Sequence, residues 1–196
     1  MSFEVELKAH VLDHVLLQQR IEALVGISPA LCELKEDTYF SLPGEDVHFR
    51  MRLEQSGPSF DTMQGHVVFT YKDKTRKEGI EVNEEVEFSS PSDQSPFALQ
   101  FFLNMGYELY IKKTKRGYLY TYPVSGELPV LTIELVEVLG LGWFLEMEFV
   151  LEDIAKARVE LAKAFLLSVL DELGIDHSQI EEKYYMHLLK KKKPEA

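Results

Sequence analysis

Cysteine is nearly missing from this chain. Cys32 is the only one, which excludes a disulfide framework and a thiolate metal site. Long apolar runs are missing too, since none reaches the ~20 residues a membrane-spanning helix needs. Glu4, Glu6 and Lys8 interrupt any apolar stretch at the start, so no signal peptide is expected. Internal repeats, low-complexity tracts and linkers are likewise absent, and one domain over residues 1–196 is expected. Positive charge is in deficit. A formal net charge of -12 argues against a nucleic-acid coat or an anionic membrane surface as main partner. It does not exclude a basic cavity, because a total says little about where each sign sits. A cytoplasmic protein is expected, with 45% hydrophobic residues to build an ordinary globular core.

What the chain has is a series of amphipathic strands whose polar faces are charged. Residues 4–8 read Glu-Val-Glu-Leu-Lys. Side chains alternate across a strand, so Glu4, Glu6 and Lys8 point one way while Phe3, Val5 and Leu7 point the other. Phe49-Arg50-Met51-Arg52-Leu53 places two arginines on one face of another strand. Similar alternation puts Lys72 with Lys74, Glu85 with Glu87, Lys113 with Lys115, and Glu146 with Glu148. Glu134 follows Thr132 on a polar face opposite Ile133 and Leu135.

Turn signals divide the chain into eight expected strands and three or four helices. Strands are expected over roughly 2–10, 33–41, 47–55, 65–73, 78–88, 108–122, 129–138 and 143–151. Asp13 is an N-cap candidate for a first helix carrying Val15, Leu16, Ile21, Leu24 and Val25, closed by Gly26. Ser90-Pro91-Ser92-Asp93 opens a second helix, ended by Gly106. Glu152-Asp153 starts the longest helix, stopped by Gly174, and a short last helix holds Tyr184, Tyr185, Leu188 and Leu189. The fold class is therefore α+β, with the strands forming a barrel or strongly curved sheet.

A single charged strand face usually looks at water. Seven strands that agree suggest instead that helices cover the apolar side and the charges line the inside. Buried charge is costly unless it pairs or a ligand satisfies it. Mg2+ or Mn2+ takes carboxylate oxygens, while arginine forks and lysines suit phosphate oxygens. A triphosphate bridged to a divalent ion meets both demands. The histidines form no metal spacing apart from the pair His10 and His14, which reads better as surface or capping. Gly140-Leu141-Gly142 lacks the Lys-Ser/Thr of a P-loop, and a turn between strands explains it.

In order along nearly the whole chain, these residues resemble the CYTH family, the triphosphate tunnel metalloenzymes, and within it the class IV adenylyl cyclase-like branch. The opening ExExK stands as Glu4-Val5-Glu6-Leu7-Lys8, and a K-x-D-x-Y element as Lys35-Glu36-Asp37-Thr38-Tyr39. An arginine strand, a central Lys72, a Glu-rich strand and Lys113-Thr114-Lys115 follow. The late GLG and E-x-E stand as Gly140 to Glu148, and Y-x-x-L-L as Tyr185 to Leu189. Two departures are visible: Lys115 stands where the family's K-x-R has arginine, with Arg116 next to it, and Glu134 stands where cyclases more often carry Asp.

The resemblance implies an eight-stranded antiparallel closed or nearly closed β-barrel, a triphosphate tunnel with helices packed outside. It implies that Glu4, Glu6, Glu134, Glu146 and Glu148 hold Mg2+ or Mn2+. Lys8, Arg50, Arg52, Lys72, Lys113, Lys115 or Arg116, with Glu85 and Glu87, would bind the substrate. Lys72, Tyr39 and Lys8 would be catalytic, Tyr39 as a base made more acidic by a neighbouring cation. The leading expectation is cyclisation of ATP to cyclic AMP and pyrophosphate. The alternative is hydrolysis of thiamine triphosphate, inorganic triphosphate or a nucleoside triphosphate. A non-catalytic polyphosphate binder and a plain structural domain are the bland readings. No nucleic-acid or membrane partner is expected, and a homodimer is compatible with the resemblance.

Overall fold

A computed structural model describes residues 3–77, 80–153 and 155–192, with the side chains of 72–77 and 80–85 outside that description. Eight strands and four α-helices follow one another along the chain. The strands are β1 (Phe3–His10), β2 (Leu31–Ser41), β3 (Phe49–Gly57), β4 (Gln64–Lys77), β5 (Ile80–Pro91), β6 (Glu108–Tyr122), β7 (Leu131–Val138) and β8 (Gly142–Leu151). The helices are α1 (His14–Glu22), α2 (Ser95–Asn104), α3 (Lys156–Glu172) and α4 (Tyr185–Lys192). The strands form one sheet in the order β1-β8-β7-β6-β2-β3-β4-β5, an open order. The β1–β8, β7–β8, β2–β3, β3–β4 and β4–β5 ladders are antiparallel. The α+β class and the strand count match expectation. Among the described residues, no helix is long and apolar enough to cross a membrane.

The chain divides into two compact units, Met1–Leu31 with Gly117–Ala196, and Cys32–Arg116. In the first, alternation along β7 and β8 buries Leu131, Ile133, Leu135, Leu145, Met147 and Phe149 on one face. Ala162, Leu166, Val169 and Leu170 of α3, at helical spacing, pack into that same core. Asp13 caps α1 as expected, its side chain accepting from the Leu16 N–H at 3.0 Å. The buried face of α1 differs from the expected one. Leu17, Ile21 and Leu24 are buried, while Val15, Leu16 and Val25 are exposed. The i, i+4, i+7 set beginning at Leu17 turns toward the core, and an apolar residue one step off that stripe faces solvent.

In the second unit, Phe40, Met51, Val67 and Phe69 form the core, covered by Ala98, Leu99 and Phe102 of α2. This helix starts later than expected. Pro91 ends β5 in extended conformation, a short 3-10 turn spans Ser92–Gln94, and α2 begins at Ser95 with Pro96 in its first turn. Gly140 and Gly142 have φ of 83° and 105°, and Leu141 N–H bonds Val138 O at 2.9 Å. They form the tight connection between β7 and β8, in line with the turn reading.

Candidate active site

Each unit carries a charged strand face, and the two faces have different chemistry. In the second unit the centre is Asp37, 1% exposed on β2. Register places it directly opposite Arg52 of β3. The guanidinium grips its carboxylate with a fork, Nε to Oδ1 at 2.6 Å and Nη2 to Oδ2 at 3.1 Å. Lys113 Nζ lies 2.9 Å from Oδ2, and the Tyr39 hydroxyl donates to the same oxygen at 3.3 Å. Burial works against ionisation of Asp37, yet the Lys113 and Arg52 charges hold its carboxyl well below the usual carboxylate range. Burial also lowers the Lys113 ammonium, opposed by Asp37 and aided by the like charge of Lys115.

Around this hub, Arg50 Nη2 donates to Thr70 Oγ1 at 2.9 Å, and Thr70 Oγ1 donates to Glu87 Oε1 at 2.6 Å. Lys35 Nζ lies 2.7 Å from Glu33 Oε1, both buried. Lys113 and Lys115 are 9% and 5% exposed, so they share the buried face of β6. Arg116, one residue on, alternates to the exposed face, where it stacks over the Phe60 ring at 4.1 Å. Of the two residues left open by the K-x-R departure, the structure brings Lys115 to the buried face and not Arg116.

Tyr39 behaves against expectation. Burial, reinforced by the Asp37 carboxylate, pushes its phenol up to about 12, and the opposing pull of Arg50 and Arg52 does not reverse this. The direction is opposite to activation as a base. Lys72 and Glu85 are register partners on β4 and β5, and their side chains lie outside the described residues.

In the first unit the face is acidic. Glu6 lies opposite Glu148, which lies opposite Thr132; Lys8 lies opposite Glu146, which lies opposite Glu134. Two cross-strand rows over β1, β8 and β7 therefore place four carboxylates on one face. Glu4, at the start of β1, lies across from Val150. Like charges directly opposed on neighbouring strands repel, and a divalent cation is the natural remedy for a face of hard oxygen donors. The donor chemistry thus fits Mg2+ or Mn2+. Among the described residues, no three His, Cys, Asp or Glu side chains gather tightly enough to hold a metal ion, so register supplies the face without a closed coordination shell.

Tyr185 of α4 joins this face, its hydroxyl donating to Glu146 Oε1 at 2.6 Å, with Lys8 Nζ 4.6 Å from its ring centroid. Burial and then Glu146 push this phenol far above its ordinary value. The segment before α4 runs along β1: Glu181 N–H bonds Lys8 O at 2.8 Å, and Ala9 bridges Ile180. The histidines stand apart. His10 bonds Glu181 at 3.2 Å and His14 stacks on Trp143 at 4.0 Å.

The sequence reading missed Asp37, Thr70, Glu33 with Lys35, and Tyr185 as site residues. Lys35, Asp37 and Tyr39 alternate on one strand face, which is the signal that could have found the hub.

The fold is shared with several solved structures. The chain is 26% identical to the PH1819 protein from Pyrococcus horikoshii OT3, over 97% of this chain and 100% of that one, with a TM-score of 0.73. A candidate adenylate cyclase from Vibrio parahaemolyticus is 19% identical, over 96% and 98% of the two chains, at a TM-score of 0.68. The candidate adenylyl cyclase HpAC1 from Hippeastrum, reported to have a dominant triphosphatase activity, is 15% identical over 99% and 97%, at a TM-score of 0.61. No protein-family model and no curated protein matches the chain.

Proposed function

We propose that this chain is a divalent-metal-dependent enzyme of the CYTH type that acts on a triphosphate, in the manner of a class IV adenylyl cyclase. The observation that carries this reading is the charge of the second unit's strand face. Lys35, Lys113, Lys115, Arg50 and Arg52 stand there with the deeply buried carboxylates of Glu33 and Asp37 and the more exposed ones of Glu54 and Glu87. A cluster of five cations held by strand register on one face suits a polyanion. The shared fold with the Vibrio parahaemolyticus and Hippeastrum proteins supports the same substrate class.

In this reading the cationic face holds the phosphate chain. A divalent ion, held by Glu6, Glu134, Glu146 and Glu148 with Glu4 beside them, would neutralise charge on the phosphate oxygens. For cyclisation, the ATP 3′-hydroxyl oxygen forms a bond to the α-phosphorus and gives up its proton to solvent, as the bond from that phosphorus to the α,β-bridging oxygen breaks. Pyrophosphate leaves, its growing charge held by Arg52, Lys113 and Lys115. Tyr39 keeps its proton at neutral pH and donates a hydrogen bond to Asp37, so it supports the cationic hub and does not act as a base. Lys72 is assigned to the phosphates by resemblance.

The second reading is triphosphate hydrolysis, supported by the activity reported for HpAC1. Incubation with Mg2+ or Mn2+ and ATP, thiamine triphosphate or inorganic triphosphate separates the two. Cyclic AMP with pyrophosphate establishes the cyclase, and orthophosphate establishes the hydrolase. No product and no binding of any of the three rejects the substrate class.

A further inference from the structure

Arg50 belongs to one cross-strand row. Tyr39 on β2, Arg50 on β3, Thr70 on β4 and Glu87 on β5 are register partners in turn. Directly opposed side chains on one face of a sheet are immediate neighbours, so the row enforces their contact. Thr70 is 2% exposed and contributes a hydroxyl, a group that can accept and donate through one atom. It does both, accepting from Arg50 Nη2 at 2.9 Å and donating to Glu87 Oε1 at 2.6 Å. The direct separation of Arg50 Nη2 from Glu87 Oε1 is 3.7 Å, too long for a hydrogen bond. The threonine is therefore the link between acid and base.

One donor of the same guanidinium is left over. Arg50 Nε is buried and, among the described residues, has no hydrogen-bond partner. A buried cationic donor without an acceptor is unfavourable, and natural structures keep such groups mainly where a ligand completes them. We propose that Thr70 is a positioning residue for phosphate recognition: locked by Glu87, its hydroxyl clamps the Nη2 side of Arg50 and leaves Nε to bond a phosphoryl oxygen. Glu87 then acts through Thr70 and not on the ligand, which agrees with its charge, since a carboxylate set against a phosphate would repel it. This inference rests on the triphosphate reading and deepens it.

A purely structural role makes the opposite forecast. Valine has the shape of threonine and is at least as good a strand former. If Thr70 only fills space, Thr70→Val is silent and Thr70→Ser, with its smaller side chain, is the worse change. If Thr70 is the relay, the order reverses.

The test is calorimetric titration of the full chain with inorganic triphosphate, with and without Mg2+, alongside melting curves. Thr70→Val should weaken binding about tenfold, as expected for loss of a charge-assisted hydrogen-bond relay, and Thr70→Ser should recover it to within about threefold. Glu87→Ala should weaken binding comparably, and the double variant Thr70→Val/Glu87→Ala should be no weaker than the worse single, because both break one chain. Wild-type-like binding by Thr70→Val, or additive losses, overturns the relay while leaving the substrate reading intact. Failure of the wild-type chain to bind triphosphate rejects the substrate reading and the relay with it. Should Thr70→Val not fold, Thr70→Ser and Glu87→Ala decide: loss in Glu87→Ala with retention in Thr70→Ser supports the relay, and retention in both rejects it.

Discussion

Asp37 and Arg52 are locked together across the β2–β3 ladder by two hydrogen bonds of 2.6 and 3.1 Å, with Lys113 on the far side of the carboxylate. The pair is a structural prerequisite of the cationic face. Removing the acid leaves two buried cations without their counter-charge, and removing one partner of a buried ion pair costs ~3–5 kcal/mol. Asp37→Asn should lower unfolding stability by about that amount at neutral pH, read by urea titration. The sign with pH follows from the depressed carboxyl of the folded state. Its contribution is complete above the ordinary value of 3.8 and is lost as pH falls below it toward the lower folded value. The gap between the native chain and Asp37→Asn should therefore narrow below about pH 4. A gap that stays constant to pH 2.5 would mean that the ion pair is not its source.

The same pairing decides how the site itself should be probed. Arg52→Ala would strand Asp37 beside Lys113, mixing folding with function. Arg52→Lys keeps the charge and loses the fork, and is the cleaner variant. On the acidic face, Glu6→Gln is isosteric. Turnover of the triphosphate should fall at least ~100-fold in both Arg52→Lys and Glu6→Gln, each with an unchanged circular dichroism spectrum. Normal turnover in both variants would refute the assignment of these two faces.

How much of this was legible in the amino-acid order depends on the kind of interaction. Period-two alternation alone placed β6 over 108–122 and sorted Lys113 and Lys115 from Lys112 and Arg116. Alternation is local, and the pleat enforces it whatever the neighbouring strand. Partnership is not local. That Asp37 meets Arg52, or Glu6 meets Glu148, follows from register between strands far apart in sequence, which one sequence does not reveal. The α1 stripe failed for a related reason: Val15, Leu16 and Leu17 are all apolar, and only the packing partner selects Leu17. The direction of the Tyr39 shift was not legible either, because it is set by burial and then by Asp37, against the arginines, and burial follows from packing.

Tyr185 ties the last helix to the acidic face through its 2.6 Å bond to Glu146. A donor held on a ligating carboxylate orients it and holds it ready, and loss of such an outer partner lowers metal affinity ~10–100-fold. Tyr185→Phe keeps the ring beneath Lys8 and deletes only the hydroxyl. The Mg2+ concentration for half-maximal turnover should rise about tenfold, with turnover at saturating Mg2+ changed less than about threefold. An unchanged Mg2+ dependence would place Tyr185 outside the metal site's support.

The raised pKa of the Tyr39 phenol tests its role as a general base. With its phenol near 12, less than one molecule in ten thousand is ionised at pH 7, on the order of 1 in 10⁵. A general base so rarely in its active form is a poor one, since proton transfer is served best by a group with a value near the working pH. As a hydrogen-bond donor the same phenol is fully populated. Tyr39→Phe should then cost no more than about tenfold in turnover, the usual scale for one neutral hydrogen bond, and should not shift the alkaline limb of the pH–rate profile below pH 9. A loss beyond about 100-fold, together with removal of a basic limb near neutrality, would mark Tyr39 as the base.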